Sequence, residues 1–200
     1  MSIRKTRVLL LRVSFLPILF VVLFVRPSWG RGSSIAFWME LSGYVFLLGG
    51  LAMRIWSILY VGGRKSHKLV TIGPYSLCRN PLYVGTFLLA IGVGLCFENV
   101  VMLALVPALI IPLHVLVVLQ EERHLEALFP EPFAAYKREV PRFWPRLAGY
   151  HSPKELTVPV RSIGRVLIDT IGILLLPEAE DFLELLHVQG ILPVLWHFPS

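Results

Sequence analysis

The segment "RNPLYVGTFLLAIGVGLCFENVVMLALVPALIIPLHVLVVLQEE", residues 79–122, decides the fold. It holds two apolar runs, residues 82–96 and 98–119, which meet at the short polar "ENV". A bilayer core of about 30 Å needs about 20 apolar residues per helix, so the second run is long enough and the first is marginal. Because so short a connection brings successive helices together as antiparallel neighbours, we predict a tight helical hairpin.

Two more apolar runs, residues 8–25 and 35–62, precede the hairpin. The chain of 200 residues is 56% hydrophobic and 16% charged, with a mean hydropathy of +0.70. This balance is too apolar for a soluble domain of this length. We therefore predict an all-α integral membrane helical bundle of four to five membrane helices, with an amphipathic cytosolic C-terminal segment. The first run is too long for a signal peptide and lacks a small-x-small cleavage site, so we expect it to be retained.

Three regions are expected along the chain: N-terminal membrane helices over residues 1–62, a core over 63–146, and an extension over 147–200 with apolar or re-entrant helices. Lysine and arginine crowd the segments before residue 8, between residues 62 and 82, and after residue 119. This bias predicts a multi-pass protein whose N-terminus and polar segments face the cytosol. The net charge of +6 is spread between apolar runs, which favours lipid headgroups as partners over nucleic acid.

Polar clusters flank the hairpin at both ends: "SHKLVTIGPYSLCRNPLY", residues 66–83, and "EERHLEALFPEPFAAYKREVPR", residues 121–142. Both should emerge at the same membrane face and form a pocket. Pro81 suits the first position of a helix, and Asn80 suits its N-cap. The alternative is a capped helix start at the membrane surface with no further role.

Adjacent carboxylates, Glu121 and Glu122, open the second cluster. Neighbouring helical positions point about 100° apart, so one carboxylate can face inward. An inward carboxylate needs a cation or donor, and Arg79 and Arg142 are the candidates. The alternative is a solvated helix end. The histidines of these clusters are too loosely spaced to predict a metal site.

The residues after 119 form an amphipathic segment that should lie along the membrane surface. Pro130 should break the helix, and a second short helix should follow with Phe133 and Tyr136. Phe143 and Trp144 suit an anchor at the membrane interface.

Together the clusters resemble the isoprenylcysteine carboxyl methyltransferase family, part of a wider group of small membrane methyltransferases that includes phospholipid methyltransferases. The stretch "HKLVTIGPYSLCRNPLYVG" matches the family pattern G-x-Y-x-x-x-R-(H or N)-P-x-Y-x-G. The stretch "EERHLEALFPEPFAAYKREVPRFWP" matches E-E-x-x-L-x-x-x-F-G-x-x-Y-x-x-Y-x-x-x-V-P-R, with Pro130 in place of the glycine and Phe133 in place of the first tyrosine. The two blocks and the hairpin cover residues 67–145.

The resemblance implies an enzyme that uses S-adenosyl-L-methionine and methylates a lipophilic acceptor, such as a prenylcysteine-like carboxylate or a lipid. Glu122 and Arg142 are the predicted catalytic residues: Glu122 as proton acceptor for an amine, Arg142 as the group that orients a carboxylate. No metal is predicted. The predicted cofactor-binding residues are His67, Lys68, Leu69, Val70, Tyr75, Asn80, Pro81, Leu82, Tyr83 and Glu121.

Two other functions fit parts of the pattern. A membrane reductase of the sterol or steroid type has similar C-terminal helices but binds NADPH. A non-catalytic scaffold would use the amphipathic segment to hold a partner protein. In the second case the residues of the predicted pocket would serve only folding.

Overall fold

The structure is a computed structural model that describes residues 33–62, 68–156, 158, 160–191 and 193, together with Leu19. These residues are helical and contain no strand. The predicted helix over residues 8–25, Leu19 apart, and the predicted site residue His67 lie outside them. The α-helices are α1 Ser34–Val61, α2 Pro74–Leu77, α3 Pro81–Cys96, α4 Val100–Leu128, α5 Pro130–Glu139, α6 Val160–Leu174 and α7 Leu176–Val188.

Among the residues that the structure describes, two helices, α1 and α4, are long and apolar enough to cross a membrane. Only 28% and 22% of their most apolar windows are buried, whereas the core helix of a soluble protein would be mostly covered. Helix α3 is apolar but shorter. The predicted helices over residues 35–62 and 82–96 are confirmed to within one residue at each end.

Helix α4 extends to Leu128, beyond the apolar run that ends at residue 119. The adjacent carboxylates Glu121 and Glu122 therefore lie on the same helix, past its apolar part. Pro130 follows the last turn and begins α5, where its missing N–H is not needed. The predicted break and the second short helix with Phe133 and Tyr136 are confirmed.

The chain divides into two compact units. Of the described residues, the first comprises those up to Leu48, Phe87–Leu113, and those from Ile171 onward. Its core contains the buried side chains of Leu47, Leu89, Val93, Cys96, Phe97, Met102 and Val106.

Close helix packing in the first unit depends on glycines. A Cβ atom at Gly92 would lie 2.9 Å from the Gly43 carbonyl oxygen and 2.9 Å from the Leu47 nitrogen. Real Cβ atoms do not approach backbone so closely, so α1 and α3 need a glycine here.

The second unit comprises Gly49–Thr86 and His114–Thr170 and contains most of both polar clusters. Helix α2 starts after Gly73, whose φ of 63° and ψ of −133° favour glycine. A Cβ atom there would also collide with the ring of Tyr60. The sequence "GPY" thus forces a tight turn at the start of α2.

In the sequence, the apolar segments 163–176 and 182–198 are separated by the polar stretch "PEAED", residues 177–181, which suggests a break there. In the structure the break falls at Leu175, and "PEAED" lies inside α7. Pro177 in the first turn and Glu178 near the positive end of the helix dipole both favour a helix start at this point.

Candidate functional site

A cavity opens within the second unit, between residues of both polar clusters. It holds about 110 Å³, whereas a site for a drug-sized ligand typically holds about 300–1,000 Å³. A nucleotide-sized ligand would therefore fill it with one part and extend beyond its mouth. The lining residues come from the end of α1, the segment after it, α2, and the facing turns of α3, α4 and α5: Val61, Lys68, Leu69, Val70, Tyr75, Arg79, Asn80, Leu82, Tyr83, Glu121, Glu122, His124, Leu125, Phe133 and Tyr136.

Glu122 is the central charge of the site, with 8% of its side chain exposed. Arg79 donates from Nε to Oε1 at 3.0 Å, and Arg142 donates from Nε to Oε2 at 3.0 Å. The Arg79 guanidinium also donates to the carbonyl oxygens of Lys137 and Val140, at 3.3 and 2.7 Å. The predicted pairing of an inward carboxylate with both arginines is thus confirmed, and these donors favour its ionised form.

Asn80 adds a further donor to the same carboxylate. Its Nδ2 lies 2.9 Å from Glu122 Oε1 and 3.3 Å from the Arg142 carbonyl oxygen. Its backbone carbonyl accepts the amides of Tyr83 and Val84, as expected for the residue before a helix. Asn80 thus occupies the position before the helix, as the sequence predicted, but its side-chain NH₂ group points to Glu122.

Tyr83 and Glu121 form the second polar pair of the cavity. The Tyr83 hydroxyl donates to Glu121 Oε2 at 2.7 Å, a short bond to a charged acceptor. The Tyr83 ring lies 6.1 Å from the ring of His114. Since Tyr83 is buried and Glu121 partly exposed, the pair connects the interior of the cavity to its open side.

Two buried tyrosines close the opposite wall. The Tyr136 hydroxyl donates to the Tyr75 carbonyl oxygen at 2.6 Å, which ties α5 to α2. Burial, followed by the charge of Glu121, raises the pKa of Tyr75 well above its ordinary value. Burial also raises the pKa of Tyr136. Both phenols therefore stay neutral at physiological pH; the Tyr136 hydroxyl serves as a donor, and both rings provide apolar surface.

Backbone hydrogen bonds join residues 141–152, which we call the surface loop, to the segment before α3. The amide of Arg79 donates to the Pro141 carbonyl at 2.8 Å. The amide of Asn80 donates to the Arg142 carbonyl at 3.2 Å. These bonds and the Arg142–Glu122 ion pair fix the start of the loop against the cavity.

The rest of the surface loop runs along α2. The Arg146 amide donates to the Leu77 carbonyl at 3.0 Å, and the Gly73 amide donates to the His151 carbonyl at 2.7 Å. The His151 amide in turn donates to Ser76 Oγ at 3.2 Å. The segment 73–80 is therefore held on one side by the surface loop and lines the cavity on the other.

The structure brings most of the predicted site residues together. Pro81 is fully buried and is not among the lining residues. Arg142 reaches the site through Glu122 and does not itself line the cavity. His67 lies outside the described residues. The predicted residues that line the cavity are Lys68, Leu69, Val70, Tyr75, Asn80, Leu82, Tyr83, Glu121 and Glu122.

Sequence reasoning missed several lining residues. Val61, Leu125 and Phe133 lie in apolar stripes at helical spacing, which predict packing and carry no signal for a cavity. Tyr136 and His124 lie in the second cluster, but only the long-range contacts of α5 and α4 reveal them. In the part of the chain that the structure describes, no three His, Cys, Asp or Glu side chains gather into a group that could hold a metal ion.

Comparison with known proteins gives two kinds of match. The model of the phospholipid methyltransferase family matches residues 38–132. The chain is 40% identical over 139 residues to the cobalt-zinc-cadmium resistance protein CzcN of Cupriavidus metallidurans, covering 70% of this chain and 64% of CzcN. It is 37% identical over 140 residues to the nickel-cobalt-cadmium resistance protein NccN of Alcaligenes xylosoxydans xylosoxydans, covering 70% of this chain and 65% of NccN.

Each match spans less than two thirds of the relative's own length, and no solved structure matches. The family match includes all but the first four residues of α1, the hairpin and both carboxylates of the cavity, and it ends before most of α5. It supports a membrane protein of a methyltransferase family and does not distinguish the isoprenylcysteine branch. By its sequence, the stretch from residue 38 to residue 132 matches the phospholipid methyltransferase family.

Proposed function

We propose that this chain is a membrane methyltransferase that uses S-adenosyl-L-methionine and acts on a lipophilic acceptor. The observation that carries the proposal is the cavity of the second unit. Eight residues that the family resemblance assigns to the cofactor line it together with Glu122, although they come from segments about 40 residues apart in sequence. The family match over residues 38–132 supports the same chemistry.

The lining chemistry fits this cofactor. The amino acid end of S-adenosyl-L-methionine carries a positive ammonium group and a negative carboxylate. The Glu121 carboxylate and the backbone of residues 68–70 offer partners for these two charges. The Tyr83 and Tyr75 rings, with Leu69 and Leu82, offer apolar and aromatic surface for the adenosine end. When bound, the cofactor supplies an electrophilic methyl group for an in-line displacement.

The protein's contribution to such a reaction is alignment and exclusion of water. Glu122 accepts hydrogen bonds from two guanidinium groups and one amide, which leaves its carboxylate poorly placed to take a proton from an acceptor. We therefore assign Glu122 the role of a positioning residue that holds Arg79, Asn80 and Arg142, in preference to a general base. Arg142, whose side chain is 42% exposed, keeps the proposed role of orienting an anionic acceptor.

The arrangement in the membrane follows from the charge bias of the sequence. We infer a multi-pass protein of four to five membrane helices, with the N-terminus and the cavity on the cytosolic side. The acceptor is proposed to enter from the bilayer, either as a prenylcysteine-like carboxylate or as a lipid. Both classes present a long apolar chain and a reactive polar end.

The two relatives are named for resistance to divalent metals, and we propose the same cellular context for this chain. In that context, methylation would alter a membrane component in cells exposed to such metals. Deletion of the gene should lower metal tolerance. Complementation by wild type and not by a Glu121→Gln variant would assign the phenotype to the cavity.

Binding of labelled S-adenosylmethionine to the full chain in nanodiscs tests the function. We expect saturable binding that S-adenosylhomocysteine displaces and NADPH does not. Glu121→Gln should weaken it, whereas Glu126→Gln, which alters an exposed carboxylate of the same helix paired with Lys137, should not. Displacement by NADPH would indicate a reductase, and a folded wild type that binds neither ligand would indicate a scaffold.

A further inference from the structure

The surface loop, residues 141–152, presents large apolar side chains to its surroundings. Trp144 is 87% exposed and Leu147 is 78% exposed. A soluble protein rarely exposes such a pair side by side, and exposed apolar patches mark interaction sites. Trp144 and Leu147 are therefore candidates for a docking surface.

The exposed side chains stand on a fixed backbone. Besides its four backbone bonds to residues 73–80, the loop is held at its end by two contacts with α1. The Tyr150 ring lies 6.0 Å from the ring of Trp56, and the Tyr60 hydroxyl shares a hydrogen bond of 2.7 Å with Ser152 Oγ. Trp144 thus lies between two fixed points, which is the arrangement of a preformed docking surface.

The charge around the loop identifies the partner. The surface loop, residues 141–152, carries Arg142 and Arg146 and no acidic residue. Arg142 pairs with Glu122, so Arg146, two residues after Trp144, supplies the positive charge beside the exposed tryptophan. Tryptophan is enriched at the headgroup level of membranes, where one side of its ring is apolar and the other polar. Basic residues close to such an anchor are attracted to anionic headgroups. Apolar and basic groups together match an anionic lipid surface better than a neutral protein groove.

The loop also shares contacts with the cavity. Four backbone hydrogen bonds join the segment 73–80 to the loop. The same segment contributes Tyr75, Arg79 and Asn80 to the wall of the cavity. Arg142 belongs to the loop and pairs with Glu122. Any displacement of the loop therefore loosens the wall of the cavity.

We propose that the surface loop docks on an anionic lipid surface through Trp144 and Leu147, and that this docking holds the segment 73–80 in place. The cavity is then fully ordered only when the protein rests on a charged membrane. The coupling depends on backbone contacts and not on the identity of the cofactor. It goes beyond the proposed function and is tested without it.

The docking of Trp144 on lipid is tested by fluorescence quenching of the full chain in nanodiscs that contain anionic lipid. The signal of Trp144 is the difference between wild type and a Trp144→Phe variant. With lipids brominated near the headgroup end of their acyl chains, we expect most of this signal to be lost, and acrylamide in the water to have little effect. A Trp144 signal quenched by acrylamide and not by brominated lipid would overturn the proposal.

The coupling between loop docking and the order of the segment 73–80 is tested by hydrogen exchange of the peptide that covers residues 71–80. We expect faster exchange in a Trp144→Ser/Leu147→Ser variant, and in wild type when all anionic lipid is replaced by zwitterionic lipid. Leu128→Ser is the matched control, because it removes an exposed leucine of the same unit that lies outside the loop. Equal exchange in the variant, the control and wild type would refute the coupling.

Discussion

Exchange of Glu122 for glutamine should destabilise the protein and not merely slow a reaction. The change removes the negative charge that compensates Arg79, whose side chain is only 9% exposed, and turns an amide NH₂ towards donor groups. Loss of one partner of a buried ion pair costs about 3–5 kcal/mol. Because Arg79 keeps two carbonyl acceptors and Arg142 is partly exposed, we expect the lower end, about 3 kcal/mol.

For a chain of this size, a loss of about 3 kcal/mol lowers Tm by about 6–12 °C. The assay is thermal unfolding of the purified protein in detergent, followed by circular dichroism. The matched control is Glu126→Gln, which breaks an exposed ion pair to Lys137 and should change the free energy of unfolding by less than about 1 kcal/mol.

A double-mutant cycle separates the ion pair from a general effect of the substitution. Arg79→Gln and Glu122→Gln should together cost at least about 1 kcal/mol less than the sum of the single changes, because each leaves the other group uncompensated. Additive costs, or a Glu122→Gln variant with the Tm of wild type and no turnover, would refute the positioning role and restore the role of a proton acceptor.

Three further predictions concern single side chains. Tyr83→Phe loses the 2.7 Å hydrogen bond to the Glu121 carboxylate and should weaken S-adenosylmethionine binding about tenfold, by about 1.4 kcal/mol. Tyr44→Phe, which loses a hydrogen bond to Glu178 in the first unit, should not weaken it, and equal affinities of the two variants would contradict the assignment. Gly92→Ala should lower the free energy of unfolding in denaturant by about 1–3 kcal/mol, because the new Cβ atom would meet backbone atoms at 2.9 Å. Gly49→Ala, where a Cβ atom meets nothing within 4 Å, should not destabilise the protein, and the opposite order would show that the helices do not pack at Gly92. Burial raises the pKa of Cys78 from 9.0 to about 11, so the free energy of unfolding should fall as pH rises from about 9 towards 11. A Cys78→Ser variant should lack that part of the fall, and identical pH profiles of variant and wild type would refute the prediction.

The helices could be predicted because their signals are local. Apolar runs gave α1 and α3 to within a residue, and Pro130 marked the end of α4. Which of the adjacent carboxylates Glu121 and Glu122 faces inward could not be predicted, because that depends on partners that the fold supplies from far along the chain. The sequence named Arg79 and Arg142 as candidates, but the same two carboxylates also fitted a solvated helix end.

The candidate site was predictable where polar residues interrupt apolar sequence. That contrast singled out the segments before α3 and at the end of α4, and with them Tyr83 and both carboxylates. The apolar walls at Val61 and Phe133 were not predictable, since such residues look like ordinary core. The support of the cavity by the surface loop was also missed, because backbone hydrogen bonds between distant segments leave no mark on residue types.

S-adenosylmethionine is proposed to bind in the cavity of the second unit, and photolabelling can locate its binding site. The labelled cofactor is irradiated with the full chain in nanodiscs, and the labelled peptides are mapped. We predict label on peptides within residues 68–83 or 121–136, lost when S-adenosylhomocysteine is present. Label confined to other peptides, or label that S-adenosylhomocysteine does not prevent, would contradict the account.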